Sequence, residues 1–529
     1  MSIAHTATPQ DVTAENEWTI MVFFAGDQDL SPSMTTQLKA IKDAGFEKHT
    51  SVLIHYDPNK RGVGTVTFDI NQQRKKEMGT SIGDGKDPFV RNLKEDIIVG
   101  APKGATATRA LQLFLDNGLR NHTAKHYIVV LVGHGVVVGN DAFLPDTTPD
   151  TAITLKDLGS ILSDFSRGVE LRDGTVELIG LHSCSMSALE VVYELKGAAN
   201  YLIATEGVSF VGSWPYRQLL KKILNAIDVS KQNGGKVEVA KLIMSLQRLC
   251  LHNSTDFMFS GLSADLCLCS LQPEKLKELD DPLKNLTKAL KKGLKNPRGL
   301  ELITLAHLKA QSYFQESYTD LYDFCLCLER ECKQGDTVQE EMTVACKAVR
   351  QKLEEANDPD GLIVRSDFFG PLYQYSHGLS VFFPWSRPIQ DVAPLPGEDI
   401  MGRYKEYKFT KELGDDSWMS FLEDYFTATL RKSRAVEDNV AVVSGNGAKF
   451  GASIPVATGS SGFSIADSLE PPKSTPPLGK VSHEVGCGCS VKNYPMEFTQ
   501  SPRAAEDPNM NGSSRPQPSP SVAVQRTSR

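Results

Sequence analysis

The feature that most constrains this chain is a series of short, fully apolar runs, each ending in small or polar residues and separated from the next by a segment of helical spacing. TIMVFFAGD around residues 19–27, TSVLIHYD, HYIVVLVGHG, VELIGLHSC and YLIATE are such runs. A strand that is apolar on both sides must be covered on both sides, which is the situation of a parallel sheet flanked by helices. The intervening segments supply the helices. SPSMTTQLKAIKDAG would be a helix with Ser31 or Ser33 as its N-cap, and ITLKDLGSIL would be opened by Thr154 with Asp157 as a capping box. The first half is therefore expected to be a mostly parallel α/β fold with helices on both faces. The second half reads as more helical. EVAKLIMSLQRL, LKNLTKALKKGL and AHLKAQSYFQESYTDLYDFCLCLERECK have helical spacing, and HGLSVFFPW reads as a late strand.

Composition bounds the domains and partners. Eleven of the 28 prolines follow Arg434, in less than a fifth of the 529 residues, and that tail is also rich in Ser and Gly. Such a segment has little apolar area to offset chain entropy. The expected organisation is a disordered N-terminus at 1–16, an α/β core at 17–235, a helix-rich subdomain with a late strand at 236–431, and a disordered tail at 432–529. A net charge of -8 argues against nucleic acid as the main partner. No apolar run is long enough for a membrane span. The N-terminus has no basic or apolar signal region, so a cytoplasmic protein is expected. The ten cysteines form no regular framework, and most lie in apolar stretches such as ADLCLCSL, where a thiol packs as a small core residue.

Parallel sheets bind ligands beyond the carboxyl ends of their strands. His134 stands at such an end in VGHG, and Cys184 at another in LHSC, directly before what reads as a helix. A thiolate is favoured at a helix start. A neighbouring histidine can take the thiol proton and later protonate a leaving amine. Gly135 permits close backbone approach and an N–H aimed at an oxyanion. The His-to-Cys separation of 50 residues is that of caspases. Asp27 and Asp29 end the first strand and could border the site or enter the next helix.

The order WTIMVFFAGDQDL, LVGHG, FLPDTTPDTAITLKDLGSIL, ELIGLHSCSMSALEVVYELK and YLIATEGVSFVGSWPY resembles the clostripain family of cysteine peptidases, over roughly residues 17 to 426. The resemblance implies a caspase-like fold and an endopeptidase acting on protein or peptide substrates through a His-Cys dyad, with His134 as general base and Cys184 as nucleophile. Relatives usually carry Asp two residues before the nucleophile, where it helps bind a basic P1 side chain. Here that residue is His182, and of the following pocket segment only Glu206 is acidic. His182, Glu206 and Asp27 are the candidate pocket residues, and the family's Arg/Lys preference is in doubt. Clostripain itself is calcium-dependent. Asp141, Asp146 and Asp150 lack EF-hand spacing and read as loop residues, so no metal or other cofactor is expected. Cys487-Gly-Cys489 has no accompanying His cluster or second cysteine pair and reads as an unmodified tail segment. The basic stretch LKKGLKNPRG reads as a solvated helix face. An alternative keeps the fold as a regulatory or peptide-binding module with little catalysis. A nucleotide-binding protein is disfavoured because no glycine-rich phosphate loop is present. The sequence leaves the oligomeric state open.

Overall fold

The apolar runs become the central strands of one nine-stranded sheet. In chain order the elements are β1 (Asn16–Phe24), α1 (Ser31–Lys42), β2 (Thr50–Tyr56), β3 (Val66–Ile70), β4 (Ile97–Gly100), α2 (Ala107–Asn121), β5 (Ala124–Val132), β6 (Phe143–Thr147), β7 (Asp150–Ile153), α3 (Leu155–Glu170), β8 (Thr175–His182), α4 (Leu189–Glu194) and β9 (Tyr201–Ala204). They continue with α5 (Tyr216–Gln232), α6 (Val239–Phe257), β10 (Ala264–Ser270), α7 (Pro273–Leu294), α8 (Pro297–Lys309), β11 (Ser312–Tyr313), β12 (Tyr318–Asp320), α9 (Leu321–Glu331), α10 (Thr337–Leu353), β13 (Ile363–Phe369), β14 (Ser380–Phe382), α11 (Ile400–Glu406) and α12 (Lys408–Leu413). This computed structural model describes residues 16–25, 30–44, 50–57, 66–70, 97–100, 106–135, 143–147, 150–233, 235–257, 263–314, 316–332, 336–388 and 399–430. The expectations for 1–15, for the tail from 431 onward with Cys487 and Cys489, and for Asp27, Asp29 and Asp141 lie outside the described residues.

The strand order is β13-β10-β9-β8-β5-β1-β2-β3-β4. The five central strands, β9 to β2, pair in parallel. The outer strands pair antiparallel, β3 and β4 at one edge, β10 and β13 at the other. Side-chain alternation divides each central strand between two apolar layers. Met21 and Phe23 of β1 pack into one layer with Val129, Leu131, Ile179 and Leu181, beneath α2, α3 and α4. Ile20, Val22 and Phe24 pack into the other with Ile128, Val130 and Val132, against α1, α5 and α6. Burying each of these side chains contributes roughly 1.5–3 kcal/mol before entropy is charged against it. The α/β fold with a mostly parallel core and helices on both faces is therefore the one the apolar runs require. β10 and β13 lie past residue 235 and complete the same sheet.

Thr154 caps α3 as expected, its Oγ1 accepting from the Asp157 N–H at 3.1 Å, while the Asp157 carboxylate accepts from the Thr154 hydroxyl at 2.8 Å rather than closing a capping box on the Thr154 N–H. The N-cap expected at Ser31 or Ser33 of α1 is corrected: Leu30 holds the N-cap position with no side-chain cap bond, and Ser31 is already the first helical residue. One long helical expectation fails. AHLKAQSYFQESYTDLYDFCLCLERECK is broken, because Ala310 turns extended after α8 and Ser312–Tyr313 pairs with Tyr318–Asp320 as a short hairpin. Asp320 then starts α9 by accepting from the Asp323 N–H at 2.7 Å. The local spacing was helical on both sides of this break, and the Tyr-rich middle preferred strand. The basic stretch at residues 290–299 lies on α7 and the start of α8, with Lys292 paired to Glu341 and Arg298 to Glu301 on the surface.

Candidate active site

The order of the central strands sets the site. β2 lies on one side of β1 and β5 on the other, and β8 follows β5, so the carboxyl ends of β5 and β8 stand side by side. β5 and β8 are neighbours, and Val132 is registered against His182. The Gly133 N–H extends the ladder by donating to the His182 carbonyl at 3.4 Å. His134 and Cys184 each stand two residues beyond that last pair, on strands whose axes are about 4.8 Å apart. Both are buried, at 6% and 1% exposure.

Gly135 lies closer still. A Cβ built there would come within 2.6 Å of the Cys184 carbonyl oxygen and 2.7 Å of Ser183 Cβ. Only a residue without a side chain permits this approach. On the other side, the turn after the cysteine is held by backbone hydrogen bonds. Ser185 donates its N–H to the Gly207 carbonyl at 2.9 Å, Ser187 to Thr205 at 2.8 Å, and Ser380 to Ser187 at 3.0 Å. Ser185 takes a left-handed φ of 54°, a strained backbone for a non-glycine residue immediately after Cys184. This turn corrects the expectation that a helix follows the cysteine directly. α4 begins only at Leu189 and has six residues, so the helix dipole is not what acts on the sulfur. A backbone group serves instead: the Ser209 N–H donates to Cys184 Sγ at 3.3 Å. Cys184 is disulfide-bonded in this structure. The other seven described cysteines are free.

The two described pocket candidates, His182 and Glu206, are buried. His182 is 2% exposed and stacks on Trp214 with ring centroids 4.5 Å apart. Its Nε2–H donates to the Phe210 carbonyl at 2.8 Å, which leaves Nδ1 to accept from the Tyr216 hydroxyl at 2.8 Å. Burial drives its pKa down to about 3, so the ring is neutral at ordinary pH. Glu206 is fully buried, with Oε2 accepting from the Gly378 N–H at 2.9 Å and the Tyr313 hydroxyl at 3.2 Å. Desolvation, with the nearby charges of Asp320 and Asp265, pushes its carboxyl well above the ordinary range. Neither group presents a negative charge to an incoming side chain.

The second half of the chain contributes residues that the sequence reading did not single out. Asp265 at the head of β10 accepts from the Glu206 and Gly207 N–H groups at 2.6 and 2.9 Å. Tyr373 accepts from the Val208 N–H at 3.3 Å. Asp320 accepts from the His377 N–H, and Tyr313 shares a hydrogen bond with Ser376 at 2.6 Å. A carboxylate opening the otherwise apolar run ADLCLCS was the one visible signal among them. Among the described residues no cluster of His, Cys, Asp or Glu could hold a metal ion, and Asp146 and Asp150 lie on the β6–β7 hairpin.

The model of the clostripain family matches residues 22–392, most of the folded chain. The chain belongs to the clostripain family. It is accordingly a cysteine-type endopeptidase with peptide or protein as substrate. No curated protein matches this clostripain homologue. Among solved structures it resembles a secreted C11 cysteine protease of Bacteroides thetaiotaomicron bound to an irreversible peptide inhibitor, at 13% identity and a TM-score of 0.48, covering 78% of this chain and 99% of that one. It also resembles an inactive zymogen C11 protease of Parabacteroides distasonis, at 15% identity and a TM-score of 0.49, covering 76% and 99%. A further structure of the secreted B. thetaiotaomicron protease aligns at 13% identity and a TM-score of 0.47, covering 76% and 100%. The expectation of a cytoplasmic protein is withdrawn, because neighbours of this clostripain homologue are described as secreted. Among the described residues no helix is long and apolar enough to cross a membrane.

Proposed function

We propose that this chain hydrolyses peptide bonds with Cys184 as nucleophile and His134 as general base. The observation that carries the reading is the β5–β8 register, which sets both residues two positions past the Val132–His182 pair. In its reduced form Cys184 passes its proton to His134 and attacks the scissile carbonyl carbon. His134 then protonates the leaving amine, and water attacks the thioester with His134 again as base. In this reading the Gly135 N–H supplies a backbone donor for the developing oxyanion. With His182 neutral and Glu206 turned toward Tyr313 and Gly378, the pocket favours a neutral P1 residue over Arg or Lys.

Cys184→Ala and His134→Ala test the dyad. Each is expected to lower kcat/KM by on the order of 10²–10⁴ or more while the protein stays folded. Activity at the wild-type level in either folded variant would refute the assignment.

A further inference from the structure

The loop after β9 presents four consecutive backbone N–H groups, and each has its own acceptor. Glu206 and Gly207 donate to the two oxygens of Asp265, Val208 donates to the Tyr373 hydroxyl, and Ser209 donates to Cys184 Sγ. Three of these acceptors come from distant parts of the chain, and together they leave the loop little freedom. Asp265 is 3% exposed and sits on β10, whose pairing with β9 fixes Cys267 against Ala204. The Tyr373 ring fills the space beside Gly207, where a Cβ would lie 2.5 Å from a ring carbon.

We propose that Asp265 is a positioning residue for the nucleophile. By chelating the first two N–H groups of the run, it holds the fourth on the Cys184 sulfur. This rests on Cys184 being the reactive thiol, as argued above. An N–H directed at sulfur favours the thiolate over the thiol, so the clamp sets the fraction of Cys184 that can attack. A peptide loop held only by water would place that donor less often.

The sign of the effect separates this role from simple electrostatics. Asp265 is itself a buried acid whose neighbours are Glu206, Asp320, Tyr313 and Tyr373. The groups around Cys184 are His134 beyond β5, His182 on its own strand, Glu206 and Asp265 behind the loop, and Tyr373. Removing a nearby negative charge would make a thiol more acidic. Loosening the clamp would make it less acidic. Asp265→Asn keeps the size but offers one acceptor and an opposing NH₂, so only the clamp account predicts a less acidic Cys184.

The test uses the reduced full chain and follows alkylation of Cys184 by iodoacetamide across pH 5–10, by peptide mass spectrometry, beside kcat/KM. In Asp265→Asn the half-point of Cys184 alkylation is expected to rise by about one pH unit, a free-energy change of about 1.4 kcal/mol. At pH 7 both rates should then fall by about tenfold, with the gap to wild type closing at pH 10 and KM nearly unchanged. Tyr373→Phe removes only the third acceptor and should shift the half-point in the same direction by less. It carries the test if Asp265→Asn does not fold. An unchanged or lowered half-point in the folded variant would overturn the proposal, as would a loss of rate equal at every pH. Failure of the underlying dyad would look different: Cys184→Ala would remain active.

Discussion

At the scale of single residues, Cys184 and His182 make the clearest demands. Cys184 is disulfide-bonded here, and a sulfur in that state cannot attack a carbonyl. Purified protein handled in air is therefore expected to gain activity on treatment with a thiol reductant and to lose it again on oxidation. Equal activity with and without reductant would show that the bond does not control the site. His182 makes a second demand. An aspartate in its place could accept from Tyr216 but could not donate to the Phe210 carbonyl, and it would bring a charge beside Trp214. His182→Asp should cost roughly 1–3 kcal/mol in a denaturant titration. Because the imidazole stays neutral down to about pH 3, the ratio of kcat/KM for matched Arg and neutral P1 peptides should be flat between pH 5 and 8. A bend in that ratio near pH 6.5 would mean His182 titrates normally. The place of His182 at the end of its apolar run was legible in the sequence, and what could not be read was that Phe210 and Tyr216 occupy both ring nitrogens.

At the scale of elements, the two strand ends were legible and their adjacency was not. Each of HYIVVLVGHG and VELIGLHSC announces a buried strand with a reactive residue at its end. Nothing in either run says that β8 lies next to β5, since that follows from packing of the whole sheet. Gly135 bears on this adjacency directly. Gly135→Ala would push a methyl into the Cys184 carbonyl and Ser183, backbone and Cβ atoms that cannot swing aside. It should lower kcat/KM at least about tenfold and lower the melting temperature. A fully active, fully stable Gly135→Ala would mean that the two strand ends lie further apart than described. The second half was less legible because its elements are short. β11, β12 and β14 have two or three residues each, too few for a period, yet they bring Tyr313, Asp320 and Gly378 beneath the loop after β9. Asp265 was hidden in a run read only for its thiols.

At the scale of the whole molecule, buried ionisable groups shape stability against pH. His55, His182 and His307 each have a folded pKa lowered by burial to about 3. The unfolded chain takes up their protons from about pH 6.5 downward, so their contribution is present above that pH and lost as pH falls toward 3. Asp265 works in the opposite sense. Burial raises its pKa from 3.8 to about 7, so its contribution is present below pH 3.8 and lost as pH rises through 7. Between pH 6 and 8 this single group should remove on the order of 1 kcal/mol, and Asp265→Asn should flatten that slope in urea titrations. Equal slopes in the two proteins would show that Asp265 ionises normally. With its pKa raised by burial, the carboxyl that holds the loop by the nucleophile is one whose ionised form the fold tolerates at a cost.

The central claim is that Cys184 is the nucleophile and His134 its base, and selective alkylation tests it most directly. The reduced protein would be treated with limiting iodoacetamide at pH 7, and the label at each thiol followed with residual peptidase activity. The account predicts that Cys184 labels well ahead of Cys250, Cys267 and the other buried thiols, that activity falls in proportion to that label alone, and that His134→Ala slows it. Persistent activity after Cys184 is fully alkylated would contradict it.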